Sequence, residues 1–264
     1  MKAIRMFALG SFTAAMMLTV SLANAATDGH NHEVVASFLK HVESLDSISD
    51  KIKAEVKESV EELSKEQSPD AVTEGLIKVY PEYLKAVESS DADNIDEAVK
   101  LLGPLAESED KFLAAEASFY LARTLMNGDR FEDAISSLDK VTGDMGKFTV
   151  HQGSAQYFTG VANAGLLNNA KAIESFMQFL QFNPDAPERL RVSAWRQVQQ
   201  LQSIQEGKLD DVHQRMDYSR RRLDLNETGE KTQTEQDKIV TMLTKMIKEE
   251  EKKECSSNCK KGGT

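Results

Sequence analysis

The stretch Tyr120-Leu121-Ala122-Arg123-Thr124-Leu125-Met126-Asn127-Gly128-Asp129-Arg130-Phe131-Glu132-Asp133-Ala134 decides the fold. Its first half is a helix-forming run carrying the small residue Ala122, and Gly128-Asp129 breaks that run. Phe131-Glu132-Asp133-Ala134 then opens a second helix, with Leu138 one turn beyond Ala134 on the same face. Three other segments open in the same way: Ile95-Asp96-Glu97-Ala98, Asn169-Ala170-Lys171-Ala172 and Leu209-Asp210-Asp211-Val212. Their closing residues fall at 98, 134, 172 and 212, at spacings of 36, 38 and 40. Twelve residues before each stand Ala86, Ala122, Gly160 and Gln200, and four after each stand Leu102, Leu138, Phe176 and Met216. Small residues let two antiparallel helices approach, and large apolar ones fill the seam. Periods of about 20–50 residues mark stacked units that bury their faces against neighbours.

The rest of the chain also reads as helix. Val35, Phe38, Leu39, Val42 and Leu45 recur at three- and four-residue steps, and Ile48, Ile52, Val56, Val60 and Leu63 continue the pattern behind a cap at Ser47. Ser68-Pro69 reads as a capping hydroxyl followed by Pro at the first helical position, and Tyr80-Pro81 interrupts the helix that follows. Asn94, Asn168-Asn169, Asn183-Pro184 and Gly207-Lys208 punctuate the remainder. With 14 Gly and 5 Pro in 264 residues there are too few turn formers for a sandwich or barrel. The predicted class is all-α, built of stacked antiparallel helix pairs.

Tyr120 through Leu138, and then Gly160, Ala172, Phe176 and Asn183-Pro184, resemble the tetratricopeptide repeat family. The resemblance covers about residues 80–223, with the outer units degenerate at Gln200 and Val212. It implies a right-handed solenoid whose concave groove, lined by the first helix of each pair, holds a protein or peptide partner. Carried onto this sequence, the groove positions include Tyr83, Phe119, Arg123, Met126 and Tyr157. Aromatic and Arg side chains are favoured interface anchors; the same aromatics also suit packing between helices. Arg220-Arg221-Arg222-Leu223-Asp224-Leu225, Gly229 and Gln236-Asp237-Lys238-Ile239 resemble the C-terminal segment of exported repeat proteins of planctomycete bacteria, a match that speaks to architecture alone.

Lys2 and Arg5, the apolar stretch Met6–Leu22 and Ala23-Asn24-Ala25 have the three parts of an export signal, with cleavage expected after Ala25. Removing residues 1–25 takes the formal charge from −11 to −13. No later segment is apolar enough to span a bilayer, so a periplasmic or secreted location is expected. The acidic balance, 43 Asp+Glu against 32 Lys+Arg, argues against a nucleic-acid partner. The expected organisation is a signal peptide (1–25), an N-terminal helical segment (26–67), the repeats (68–223), a linker (224–234), an amphipathic helix (235–254) and a disordered tail (255–264).

Against that acidic background Arg189, Arg191, Arg196, Arg215, Arg220, Arg221 and Arg222 form a basic patch, the window 189–222 carrying a net charge of +4. Two roles fit it: docking an acidic partner or anionic surface, or pairing with acids of the same chain. Ile239, Met242, Leu243, Met246 and Ile247 make a narrow stripe that folds back on the last repeat or pairs with another copy through residues 235–254. Cys255 and Cys259 are open to a local disulfide, a link between chains or free thiols. No metal site is expected: the His30-Asn31-His32 pair reads as incidental, and His41, His151 and His213 share no spacing. No catalytic residue or cofactor is expected either, since the chain has no Gly-rich phosphate loop, no H-E-x-x-H and no G-x-S-x-G. The expected function is a non-enzymatic exported scaffold. The alternatives are a self-assembling envelope component and an enzyme with an unrecognised site.

Overall fold

The computed structural model describes residues 29–66 and 68–259; the expected signal, residues 1–25, lies outside them. Those residues form helices and turns, with no strand among them. The helices are α1 (29–44), α2 (Asp50–Lys65), α3 (Ala71–Val79), α4 (Pro81–Asp91), α5 (Ile95–Leu105), α6 (Lys111–Asn127), α7 (Phe131–Thr142), α8 (Gln152–Gly165), α9 (Asn169–Phe182), α10 (Glu188–Ser203), α11 (Leu209–Asp224) and α12 (Glu230–Cys259). A short 3-10 turn, Gly146–Phe148, lies between α7 and α8.

Local chemistry sets the ends. Pro81 sits at the start of α4, where its missing N–H costs nothing. The Asp110 carboxylate caps α6 by accepting from the N–H groups of Phe112 and Leu113 at 2.9 and 3.3 Å. Two expected caps move: Ser49, not Ser47, caps α2 through the N–H of Ile52 at 3.4 Å. Helix α3 starts at Ala71, two residues beyond Pro69, because the Ser68 hydroxyl spends itself on the N–H of Asp70 in a turn.

The sequence period reappears as a repeated turn. Asp93, Asp129, Leu167 and Gly207 are left-handed, at φ of 55, 57, 62 and 74°, each five residues before Ala98, Ala134, Ala172 and Val212. In the first three pairs the next N–H closes the preceding helix: Asn94 to Ser89 at 3.0 Å, Arg130 to Leu125 at 2.8 Å and Asn168 to Asn163 at 2.9 Å. One turn therefore recurs with one hydrogen-bond pattern, and it sends the chain back antiparallel at each unit.

Ala86, Ala98, Ala122, Ala134 and Ala172 are fully buried, as are Leu102, Leu138 and Phe176. A β-carbon on Gly160 would lie 2.7 Å from the Phe176 ring, so α8 and α9 approach too closely there for any side chain. Successive helices pack from α2 through α10. Val34, Phe38, Val42, Val56 and Val60 share one core with Ala86, Ala122 and Leu138, so the N-terminal segment joins the stack. A second core gathers Phe176, Phe179, Ala194, Val198 and Leu201 under α10.

The fourth unit departs from expectation. Helix α11 hardly touches α10, Gln200 and Met216 are exposed, and α11 pairs with α12 instead. Gln200 is too large for the seam that Ala122 and Gly160 make possible, so consecutive stacking stops at α10. Helix α12 folds back along α11, burying Thr232 and Ile239, and its bounds include residues 230–234 and 255–259, read from the sequence as linker and tail. Among the described residues no helix is long and apolar enough to cross a membrane.

Candidate interaction surfaces

The expected aromatic ladder is closed over. Tyr83 is fully buried and Phe119 is 4 % exposed, so neither presents a face to a partner. Tyr83 meets Tyr120 edge to face at 6.1 Å, and Phe119 stacks on the His151 ring at 4.1 Å and 5°. Tyr157 is half-buried against Phe176 and Phe179, with its hydroxyl 2.8 Å from Ser193 Oγ of α10. Arg123 lays its guanidinium over the Tyr120 ring at 5.0 Å, and Met126 packs against the core. The groove ladder assigned to these residues is thereby corrected: Tyr83, Phe119 and Tyr157 build the seams between elements.

A buried carboxylate explains the closure. Glu116, one turn before Phe119 and Tyr120 on α6, is fully buried. Thr73 of α3 donates to its Oε2 at 2.7 Å, and Thr149 of the 146–151 turn donates to its Oε1 at 2.7 Å. His151 Nε2 lies 3.3 Å from Oε2. Each of these groups comes from a segment laid over the face of α6 that an open groove would expose. Burial works to raise the pKa of Glu116, but the charge of His151 and the hydrogen bonds from Thr149 and Thr73 outweigh it, and the carboxyl titrates below its ordinary value. The Tyr83 phenol, desolvated and beside that negative charge, is pushed well above its ordinary value.

A second carboxylate, at the N-cap of α6, repeats the device less than two turns before Glu116. Besides capping that helix, Asp110 accepts from the Tyr80 hydroxyl at 2.6 Å and lies 2.8 Å from His41 Nε2 of α1. Burial opposes its ionised form, yet Tyr80 and His41 hold its carboxyl below the usual range. The Glu116 cluster is enclosed and the Asp110 cluster half-buried, and together they join α1, α3 and the 146–151 turn to α6. Among the described residues no three His, Cys, Asp or Glu side chains converge as a metal-binding group. Sequence reasoning left Glu116, Asp110, His41 and His151 without a role. The one signal was an acid within the apolar run Phe112–Ala122, which an unpartnered glutamate does not tolerate.

The basic patch divides in two. Arg215 pairs with Asp211 at 2.7 Å and with Glu235 of α12. Arg220 pairs with Asp224 at 2.9 Å, and Arg222 with Glu132 and Glu227 at 2.7 Å each. Arg221 donates to the Gly165 carbonyl at 2.7 Å and covers the Phe131 ring at 5.4 Å. Arg215 thus ties α11 to α12, Arg221 and Arg222 tie α11 to the body of the molecule, and Arg220 pairs within α11. Arg189, Arg191 and Arg196 instead stand exposed on α10, where Arg191 donates to the Ala186 carbonyl.

Between those arginines lies an apolar face. Val192 and Trp195 are exposed on α10, outside the buried stripe of Ala194, Val198 and Leu201, and Trp195, the single tryptophan of the chain, is 57 % exposed. Phe182 and Met177 of α9 are also exposed. At the far end of the chain Cys255 is an exposed free thiol. No family model matches the chain, nor does any curated protein or solved structure.

Proposed function

We propose that the chain is a non-enzymatic scaffold, exported by its N-terminal signal, whose tetratricopeptide-like helix pairs support a protein-binding face on α10. The observation that carries this reading is the exposure of Trp195 and Val192, flanked by Arg189, Arg191 and Arg196, on the last helix of the consecutive stack. An exposed Trp framed by Arg is the composition of an interface anchor. Helix α10 is fixed from beneath by Ala194, Val198 and Leu201, so little ordering entropy is lost when a partner docks. Three exposed cations around this helix, in a chain whose formal charge is −11, favour an acidic partner, a segment carrying carboxylates beside an apolar anchor.

Trp195 is its own reporter, since no other tryptophan contributes to the fluorescence. Titrating the protein with acidic amphipathic peptides is expected to shift the emission to shorter wavelength as the indole loses water. Trp195→Ala is expected to weaken binding by about 2 kcal/mol or more, the loss typical of a central anchor. Emission that stays constant with acidic peptides, or binding that survives Arg189→Glu with Arg196→Glu, removes α10 as the docking face.

A further inference from the structure

The α11–α12 hairpin carries a second apolar face, independent of α10. Leu209, Met216 and Leu223 recur every seven residues on α11, and Val240 and Ile247 do so on α12; all five are between 42 and 68 % exposed. Seven residues make nearly two helical turns, so each set forms a line along its helix. On α11 the side turned to the body is taken by Gln214, Arg221 and Arg222, which reach Asn169, Gly165 and Glu132. On α12 the side turned to α11 holds Thr232, Glu235 and Ile239. Helical phase then places both lines on the outer face of the hairpin, away from α7–α9. The short turn at 225–229 and the Arg215–Glu235 pair fix an antiparallel register. That register sets Leu209 beside Ile247 and Met216 beside Val240, two apolar layers about 10 Å apart at roughly 1.5 Å of rise per residue.

We propose that this face is the dimer interface of the protein, its occupant being the same hairpin of a second copy. A two-fold axis parallel to the helices brings α11 of one copy against α12 of the other and closes a four-helix bundle with antiparallel neighbours. Each layer then meets itself: Leu209 and Ile247 pack on their counterparts, and Met216 and Val240 on theirs. The rims agree in charge. Arg220 lies level with Asp237 of the second copy, and Asp210 with Lys248, while Asp224 faces Gln233, Asp217 faces Thr241 and His213 faces Thr244. None of these five levels sets like charges against each other, so the rim along α11 is complementary to its counterpart.

Sedimentation velocity of the purified mature protein, residues 26–264, from about 1 to about 100 μM, the weak end of specific association, tests the proposal. The expected result is a monomer–dimer equilibrium that shifts with concentration. Met216→Glu with Val240→Glu is expected to leave a monomer of unchanged helical circular dichroism, because both positions are exposed within one protomer. Asp237→Arg is expected to weaken the dimer several-fold, up to about thirtyfold for two symmetry-related surface pairs, and Arg220→Asp added to it is expected to restore association. A wild-type protein that stays monomeric across that range overturns the proposal and leaves the face to a different partner. A dimer that survives the double glutamate substitution overturns it too.

Discussion

Glu116 illustrates how one side chain decides the use of a surface. Its folded titration lies below the ordinary value of 4.5. The stabilisation it contributes is therefore complete above that value and is lost as pH falls through the lower, folded value. Glu116→Gln keeps an acceptor for Thr73 or Thr149 but removes the charge. It is expected to cost about 1–3 kcal/mol at neutral pH, the loss on weakening buried hydrogen bonds to a charged group, and to flatten the fall of stability below pH 4.5. Denaturant titrations at a series of pH values measure both effects; an acid limb as steep as that of the wild type contradicts the assignment. Gly160→Ala probes close packing at the same scale. Its β-carbon would meet Phe176 at 2.7 Å, and overpacking of this kind costs about 1–3 kcal/mol. Phe119→Ala belongs beside it, as a core deletion and not a surface change, with an expected loss of about 3–5 kcal/mol in unfolding free energy.

Among the elements, α6 is the one the others are tied to. Asp110 caps it and receives Tyr80 and His41, so Asp110→Ala removes a cap and two links at once. The cap alone contributes about 1 kcal/mol. Amide exchange is expected to accelerate in the first turn of α6 and in α1 together, and acceleration in α6 alone would show that His41 contributes nothing to holding α1. The repeated turn is the other element-scale device. At Gly207, φ is +74° and a β-carbon would meet nothing within 4 Å. Gly207→Ala thus isolates the conformational cost of a left-handed residue, about 1–2 kcal/mol, readable from its unfolding midpoint. Asp93 and Asp129 occupy the equivalent positions without glycine, which suits a short polar side chain that bonds locally. Leu167 does so without either advantage, and nothing in the structure explains that choice.

At the scale of the molecule, a continuous stack ends at α10 and a hairpin is appended to it. The stack is held by apolar seams, whereas the hairpin meets it through Gln214, Arg221 and Arg222 with little apolar burial. Polar contacts of this kind contribute less than core packing, so α11 and α12 are expected to open at lower free energy than α4 through α9. Native-state hydrogen exchange measures this directly, and equal protection in both parts would show the hairpin to be integral to the fold. The exposed apolar side chains fall in two separate places, Trp195 on the stack and Leu209, Met216, Val240 and Ile247 on the hairpin.

The all-α class, the helix pairs and their seams were legible in the chain because they depend on neighbours. A small residue at 98, 134 and 172 acts through contacts a few turns away, and the left-handed turns at Asp93, Asp129 and Leu167 are each closed by a bond five residues long. Openness of a face is a different kind of property, set by whatever else lands on it. Thr73 reaches Glu116 across 43 positions, and Arg222 reaches Glu132 across 90. No periodicity encodes such meetings, so only the tertiary structure could close the expected groove, pair the α11 arginines, and leave α10 and the outer hairpin face bare. Local spacing fixes the shape of each pair, while burial of a particular side chain depends on where distant segments come to rest.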